Sequence, residues 1–363
     1  MGDVTAKIPA PTPSARAAAP RGPAVAGIEL QAGTIRIVVG QRDGARLRVT
    51  GRGEAALPDG ALVSGLVTDR FVVADALRTA LASAEHLQRA ERLTVAVDSD
   101  DMRTHHALTT FEREDLRAAV GAGEEQRAVR EAASDAHSRA AAATEEDAAM
   151  RGVATVQLDD DVAAMAIDGR GLNSLIGHRG RLVEVWTDVT IAPLVVTGAV
   201  TATLEAVRRR GTVASGAYVL GRLIAESGVS DAGVVRLGSD MTAIGVLREG
   251  RVTGTRVFAL GRSALAARPG RLEDDAKVWA DCVVASLRGI DGPPPGRWLF
   301  IGVTEALLAL PSALASTIGE IRGETADAAP LAVGLASRVV GDLRPEDLVA
   351  AGAAALAAGV YET

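Results

Sequence analysis

Residues capable of chemistry are sparse and scattered in this chain. His105 and His106 follow Asp98, Asp100 and Asp101, which are the ligand types of a divalent-cation site, but their spacing matches no regular metal motif. The expectation is a solvated loop and no metal. Cys282 is the single cysteine, so an internal disulfide or a thiolate zinc cluster cannot be built, which fits a reducing, cytoplasmic setting. No GxSxG nucleophile elbow occurs, and no catalytic residue is assigned. Arg170, Arg179 and Arg181 flank a polar loop, Asp168-Gly169-Arg170-Gly171, where guanidinium forks suit either an acidic protein partner or plain solvation. Arg208-Arg209-Arg210 closes a helical segment and reads as compensation of the helix dipole.

The chain that positions these groups has 363 residues, 48% of them hydrophobic and 2% aromatic, enough to bury a two-lobed core filled by Ala, Val and Leu. Its 39 Lys and Arg against 46 Asp and Glu give a net charge of -7, which offers no footprint for nucleic acid. The scarcity of aromatics also removes base-stacking platforms. No apolar run is long enough to span a bilayer, and direct membrane insertion is not expected. Residues 1–26, rich in Pro and Ala, read as an unfolded tail.

Short β-rich runs at 27–30, 35–40 and 46–50, a helix capped by Thr68-Asp69 and a buried-type strand at 93–97 give the order βββαβ. Residues 111–150, rich in Ala, Glu and Arg, read as one or two exposed helices, and strands follow at 153–158 and 182–191. A second meander at 233–237, 243–247 and 251–260 leads to a helix at 272–287, a strand at 298–303 and a helix at 305–318. The order of the first half has been repeated around an insertion. The end of the chain, mostly Ala and Gly, reads as a packed terminal helix.

This duplicated pattern resembles the actin-like ATPases. The segment Asp168-Gly169-Arg170-Gly171, followed by Ile176-Gly177-His178-Arg179-Gly180-Arg181-Leu182-Val183-Glu184-Val185, is similar to the inserted domain of FtsA, the bacterial cell-division actin homologue; Gly65 to Asp69 and Pro330 to Ala336 add to the likeness. The resemblance implies an α/β, actin-like (ribonuclease H-like) two-lobed fold, with a duplicated βββαβα core and a small inserted α/β domain. It implies a tail at 1–26, a first lobe at 27–97 and 192–230, an inserted domain at 98–191, a second lobe at 231–341 with a reduced subdomain at 261–296, and a terminal helix at 342–363.

The resemblance also implies a nucleotide site built from two phosphate loops and an adenine loop, all of them altered here. The first contains Glu29, Gln31, Gly33 and Thr34, with a longer carboxylate and a side chain where the family has none. The second contains Arg236, Gly238, Ser239 and Asp240, and both family carboxylates are missing from their places. The third contains Gly302 and Thr304 among β-branched neighbours. These changes read as a pseudo-ATPase in which Glu29, Arg236 and Asp240 form a salt bridge between the lobes. No cofactor is expected, with ATP and magnesium as the alternative should Glu29 and Asp240 serve as metal carboxylates. The implied partners are FtsZ-type filaments, other division proteins and further copies of the chain, at the division site on the inner membrane face. A second resemblance, to the PilM-type platform proteins of pili, implies a short peptide partner at the inserted domain.

Overall fold

The computed structural model describes residues 22–148, 150–158 and 161–361. Most of the expected N-terminal tail lies outside them. Its last residues do not behave as a tail: the first strand, β1 (Ala24–Gln31), opens at Ala24, whose small apolar neighbours are buried and pair with the far end of β2 (Thr34–Asp43). Gly33, at a φ of 85°, makes the tight turn between them. β3 (Arg46–Ala56) completes an antiparallel meander.

A small hairpin, β4 (Leu62–Val63) with β5 (Leu66–Val67), leads to α1 (Arg70–Ala84). The Asp69 carboxylate caps this helix by accepting from the amides of Phe71 and Val72. β6 (Arg92–Val97) then lies parallel to β1.

An excursion follows: β7 (Arg103–Glu112), α2 (Ala122–Glu146), β8 (Thr155–Gln157), β9 (Asp161–Ile167), β10 (Arg170–Leu172) and β11 (Leu182–Pro193). The stretch containing His105 and His106 is not a solvated loop but strand β7, paired with β11 from Arg103 to Glu112. Residues 111–150 hold one long helix, and it is not wholly exposed. Ala128, Ala132, Ala136 and Ala140, spaced by four, form a buried stripe against the strands.

The chain returns through α3 (Leu194–Ala206), the short strand β12 (Thr212–Ser215) and α4 (Gly216–Ala225). The second half is β13 (Ala232–Leu237), β14 (Thr242–Arg248), β15 (Arg251–Phe258), α5 (Arg262–Ala266), α6 (Leu272–Ser286), β16 (Arg297–Ile301), α7 (Ala309–Arg322), β17 (Asp327–Pro330), β18 (Val339–Val340) and α8 (Leu348–Ala357). One sheet has the order β12-β6-β1-β2-β3-β18, and the other has β10-β9-β11-β7-β15-β14-β13-β16-β17. The run β15-β14-β13-β16-β17 repeats β3-β2-β1-β6-β12, including its mixture of antiparallel and parallel neighbours. The duplication is therefore structural. Antiparallel excursion strands extend the second sheet through a junction of β7 with β15.

Between the sheets, every residue of α4 is buried, and α8 packs on α4 and β1. The alanine-rich end of the chain is explained by this site. A β-carbon on Gly27 would stand 1.9 Å from the Ala350 carbonyl oxygen, and one on Gly352 would stand 2.7 Å from that of Val219. Small residues let α8 approach both neighbours at backbone distance, so the terminal helix is a wedge between the lobes. Among the described residues no helix is long and apolar enough to cross a membrane.

Candidate functional site

The duplicated strands β1 and β13 bring Glu29 and Arg236 face to face between the lobes. Arg236 donates from Nη1 to Glu29 Oε1 at 2.8 Å and from Nη2 to Asp98 Oδ2 at 2.5 Å, so one guanidinium bridges two carboxylates. Asp98 also accepts from the amide of Ala217 at 2.9 Å, which ties the cluster to the start of α4. Arg36 approaches the other Glu29 oxygen at 3.7 Å. All three central residues are buried, with Glu29 2%, Asp98 1% and Arg236 6% exposed. Burial holds the Glu29 carboxyl above its usual range against the pull of Arg236 and Arg36. Burial alone would lower the Arg236 pKa, but Asp98 and Glu29 hold it above the ordinary arginine value.

The other residues of the expected nucleotide loops make separate contacts. The Gln31 amide presses on Gly238, with Nε2 2.8 Å from where a β-carbon would be. Asp240 does not join Arg236; its Oδ2 accepts from the amide of Ser64 at 2.7 Å, which links the second lobe to the β4–β5 hairpin. Ser239 bonds the Ser263 hydroxyl at 2.8 Å. Gly33 and Thr34 form the β1–β2 turn, and Thr34 Oγ1 reaches Glu54 and the Ala55 carbonyl, each at 3.4 Å. Gly302, at a φ of 83°, packs on the Leu237 carbonyl, where a β-carbon would come within 2.3 Å. Thr304 is exposed at the start of a short 3-10 turn. Asp98 is the participant that sequence reasoning missed. It was grouped with Asp100 and Asp101, yet its place directly after the apolar run 93–97 was the available signal. Glu29 and Asp98 aim their oxygens at a guanidinium, so a magnesium ion with its phosphate would have to displace Arg236 before using them.

A second polar cluster lies where the excursion strands meet α4. The Tyr218 hydroxyl stands 2.6 Å from Asp161 Oδ2 and 3.0 Å from Asp188 Oδ2, while Asp188 Oδ1 is 2.5 Å from Nδ1 of His106. Arg222 donates to Asp161 at 3.1 Å and pairs with Glu226 at 2.8 Å. Tyr218 has one proton for two acceptors, so the second carboxyl must donate or tolerate an unbonded oxygen. Burial raises the Asp188 pKa, which favours the first answer. Burial and the two carboxylates also push the Tyr218 pKa up. His106 is thus a strand residue in a hydrogen-bonded network. Among the described residues no group of His, Cys, Asp and Glu could hold a metal ion.

Beside this network is a cavity of about 460 Å³ between β12 and the excursion, lined by Thr212, Val213, Leu158, Thr190 and Arg210, with Asp161 and Asp188 in its wall. Among the described residues β12 is the last strand of its sheet, so one edge of its backbone has no strand partner there. At the opposite end of β11, Arg170, Arg179 and Arg181 are exposed. The Asp168 carboxylate accepts from the Arg181 amide at 3.1 Å, and the Arg181 side chain lies 3.5 Å from Glu112; Arg170 and Arg179 make no ion pair among the described residues. Arg209, expected to serve the helix dipole, is instead buried and bidentate. It holds both Glu85 oxygens at 2.8 Å and the Ala90 carbonyl at 2.6 Å, locking the end of α1 to the end of α3.

No family model matches the sequence, and no curated protein matches it. Solved structures do. A PilM-PilN type IV pilus biogenesis complex superposes with a TM-score of 0.55 at 16% identity, covering 92% of this chain and 98% of that one. The ethanolamine utilization protein EutJ from Carboxydothermus hydrogenoformans gives 0.46 at 13% identity over 92% of this chain and 90% of that one, and a ROK hexokinase from Thermus thermophilus gives 0.36 at 15% over 92% and 97%. The architecture is that of the actin-like ATPases: two lobes built from a duplicated α/β unit. The resemblance read from the sequence therefore holds at the level of the fold.

Proposed function

We propose that this chain is a protein-binding scaffold on the actin-like fold, with its interlobe nucleotide site closed by side chains. The observation that carries this reading is the single guanidinium of Arg236 bonded to Glu29 and Asp98 across the cleft. Metal-assisted phosphoryl transfer needs carboxylates presented to a cation and backbone amides presented to phosphate. Here the carboxylates are neutralised by the protein, and Gln31 covers Gly238.

Within the scaffold reading, the partner class best supported is a short extended peptide, as in a pilus platform. Such a peptide would pair its backbone with the edge of β12 and place a hydrogen-bond donor against Asp161 and Asp188, the mode by which strands are added to sheets. The PilM-PilN type IV pilus biogenesis complex, which shares this fold, is an assembly of protein with protein and agrees with it. Arg170, Arg179 and Arg181 are then a separate candidate contact for an acidic surface.

Selection of displayed peptides on the full chain tests this. The expected hits compete with one another and are lost in Leu158→Arg, which fills the cavity. Hits that survive this substitution would defeat the groove assignment. Co-sedimentation with FtsZ filaments, unchanged by Leu158→Arg, would instead favour the division-scaffold reading.

A further inference from the structure

The excursion and the second lobe meet where His105 of β7 is registered with Gly254 of β15. Two residues outward in this antiparallel register, Arg103 stands opposite Arg256, and both share a face with His105 because strand side chains alternate. The other face is internally satisfied: the hydroxyls of Thr104 and Thr255 bond at 3.0 Å, and Thr104 also meets Thr190 at 3.0 Å. The first face is not. Like charges placed opposite each other across a strand pair destabilise it unless something neutralises them.

Asp147 is the carboxylate that acts on this face, and Arg103 Nη1 donates to the carbonyls of Asp100 and Met102. Among the described residues, the Arg256 Nη atoms bond the carbonyls of Thr255 and Gly289, at 2.8 and 3.2 Å. Asp147 Oδ2 is 3.6 Å from Nε of Arg103, and Glu146 is exposed at the rim. Nε2 of His105 is buried with no hydrogen-bond partner among the described residues. Burial and then the neighbouring Arg103 push the Arg256 pKa down to about 10, and burial with both arginines pushes His105 down to about 4. These groups line a cavity of about 510 Å³, whose wall also includes Arg288 and Ser286 at the end of α6 and Glu146 and Asp147 at the end of α2.

We propose that this cavity binds the phosphoryl group of a small phosphate-containing molecule through Arg103, Arg256 and Arg288, with His105 Nε2–H as a neutral donor. Guanidinium groups brought to one cavity from two strands and a helix end offer several donors to a tetrahedral dianion. The volume leaves room for an organic portion beside the phosphoryl group. None of the lining residues belongs to the Glu29–Asp98–Arg236 cluster, so the site is distinct from the closed interlobe cleft. A bound anion would fasten the excursion to the second lobe at their narrow strand junction.

The test is calorimetric titration of the full chain at low ionic strength with pyrophosphate as probe, and with orthophosphate and AMP to separate inorganic from organic sources. The expected result is saturable binding of at least one probe. Arg256→Gln and Arg103→Gln should weaken it tenfold or more, and the exposed Arg288→Gln about threefold. Absence of saturable binding by all three probes overturns the proposal. So does unchanged affinity in Arg288→Gln, a variant at an exposed position where misfolding is not at issue, or in a folded Arg256→Gln.

Discussion

The interlobe cleft and the groove beside β12 both gather buried carboxylates, and they dispose of them differently. In the cleft, Glu29 and Asp98 share one guanidinium, with Arg36 near the remaining Glu29 oxygen. At the groove, Asp161 and Asp188 share one tyrosine proton, with His106 and Arg222 behind them and an open cavity in front. A cleft closed by matched charges holds the two lobes together. A groove whose carboxyl groups face an open cavity beside a strand edge is suited to taking a backbone donor from outside.

The strongest way to break this contrast is to remove the bridging cation. Arg236→Ala leaves two buried carboxylates without their partner and should cost about 3–5 kcal/mol in urea unfolding. A loss below about 1 kcal/mol would show that the cluster is hydrated rather than closed. At the groove the corresponding deletion should be milder. Tyr218→Phe removes one hydroxyl shared by two carboxyl groups and should cost about 1–3 kcal/mol. A cost equal to that of Arg236→Ala would erase the distinction between the two regions.

The pH dependence sharpens the same comparison. The folded-state pKa of Asp188 is raised by burial, so folding favours its protonated form. Its contribution to stability is full below the ordinary carboxylate range and is lost as pH rises through the folded value. Asp188→Asn, neutral throughout, should therefore gain stability relative to the parent as pH rises from the carboxylate range to neutrality, read from urea midpoints across that interval. The smallest effect is expected for Leu158→Arg, a part-buried position at the cavity, which should shift stability by about 1 kcal/mol or less while abolishing peptide capture.

The parts of the molecule legible in the sequence are those whose signal is local. The two meanders showed as β-rich runs, and Asp69 announced the start of α1 by its type and place. Strand β7 was hidden because its buried positions include Thr104, which is satisfied by Thr190 and Thr255 at distant points of the chain. Its polarity read as solvation when it was a paired network. The alanine stripe of α2 was hidden for the opposite reason: small residues bury well but give a weak apolar signal. In the cleft, Glu29 and Arg236 were suggested by opposite charges in the two repeated loops. Asp98 was not, because its partner Arg236 lies 138 residues further along and only the fold brings them together. The groove was invisible for the same reason, since β12 is recognisable as an edge only after the sheet order is known.

Calorimetric titration of the full chain with MgATP decides whether the interlobe cleft is closed to nucleotide. The account expects Arg236→Gln, which frees the cleft, to be the variant in which any interlobe nucleotide heat first appears, and the parent protein to give none. Saturable binding of MgATP by the parent, lost when Glu29 is replaced by Gln, would contradict the closed cleft and restore this chain to the nucleotide-binding members of its fold.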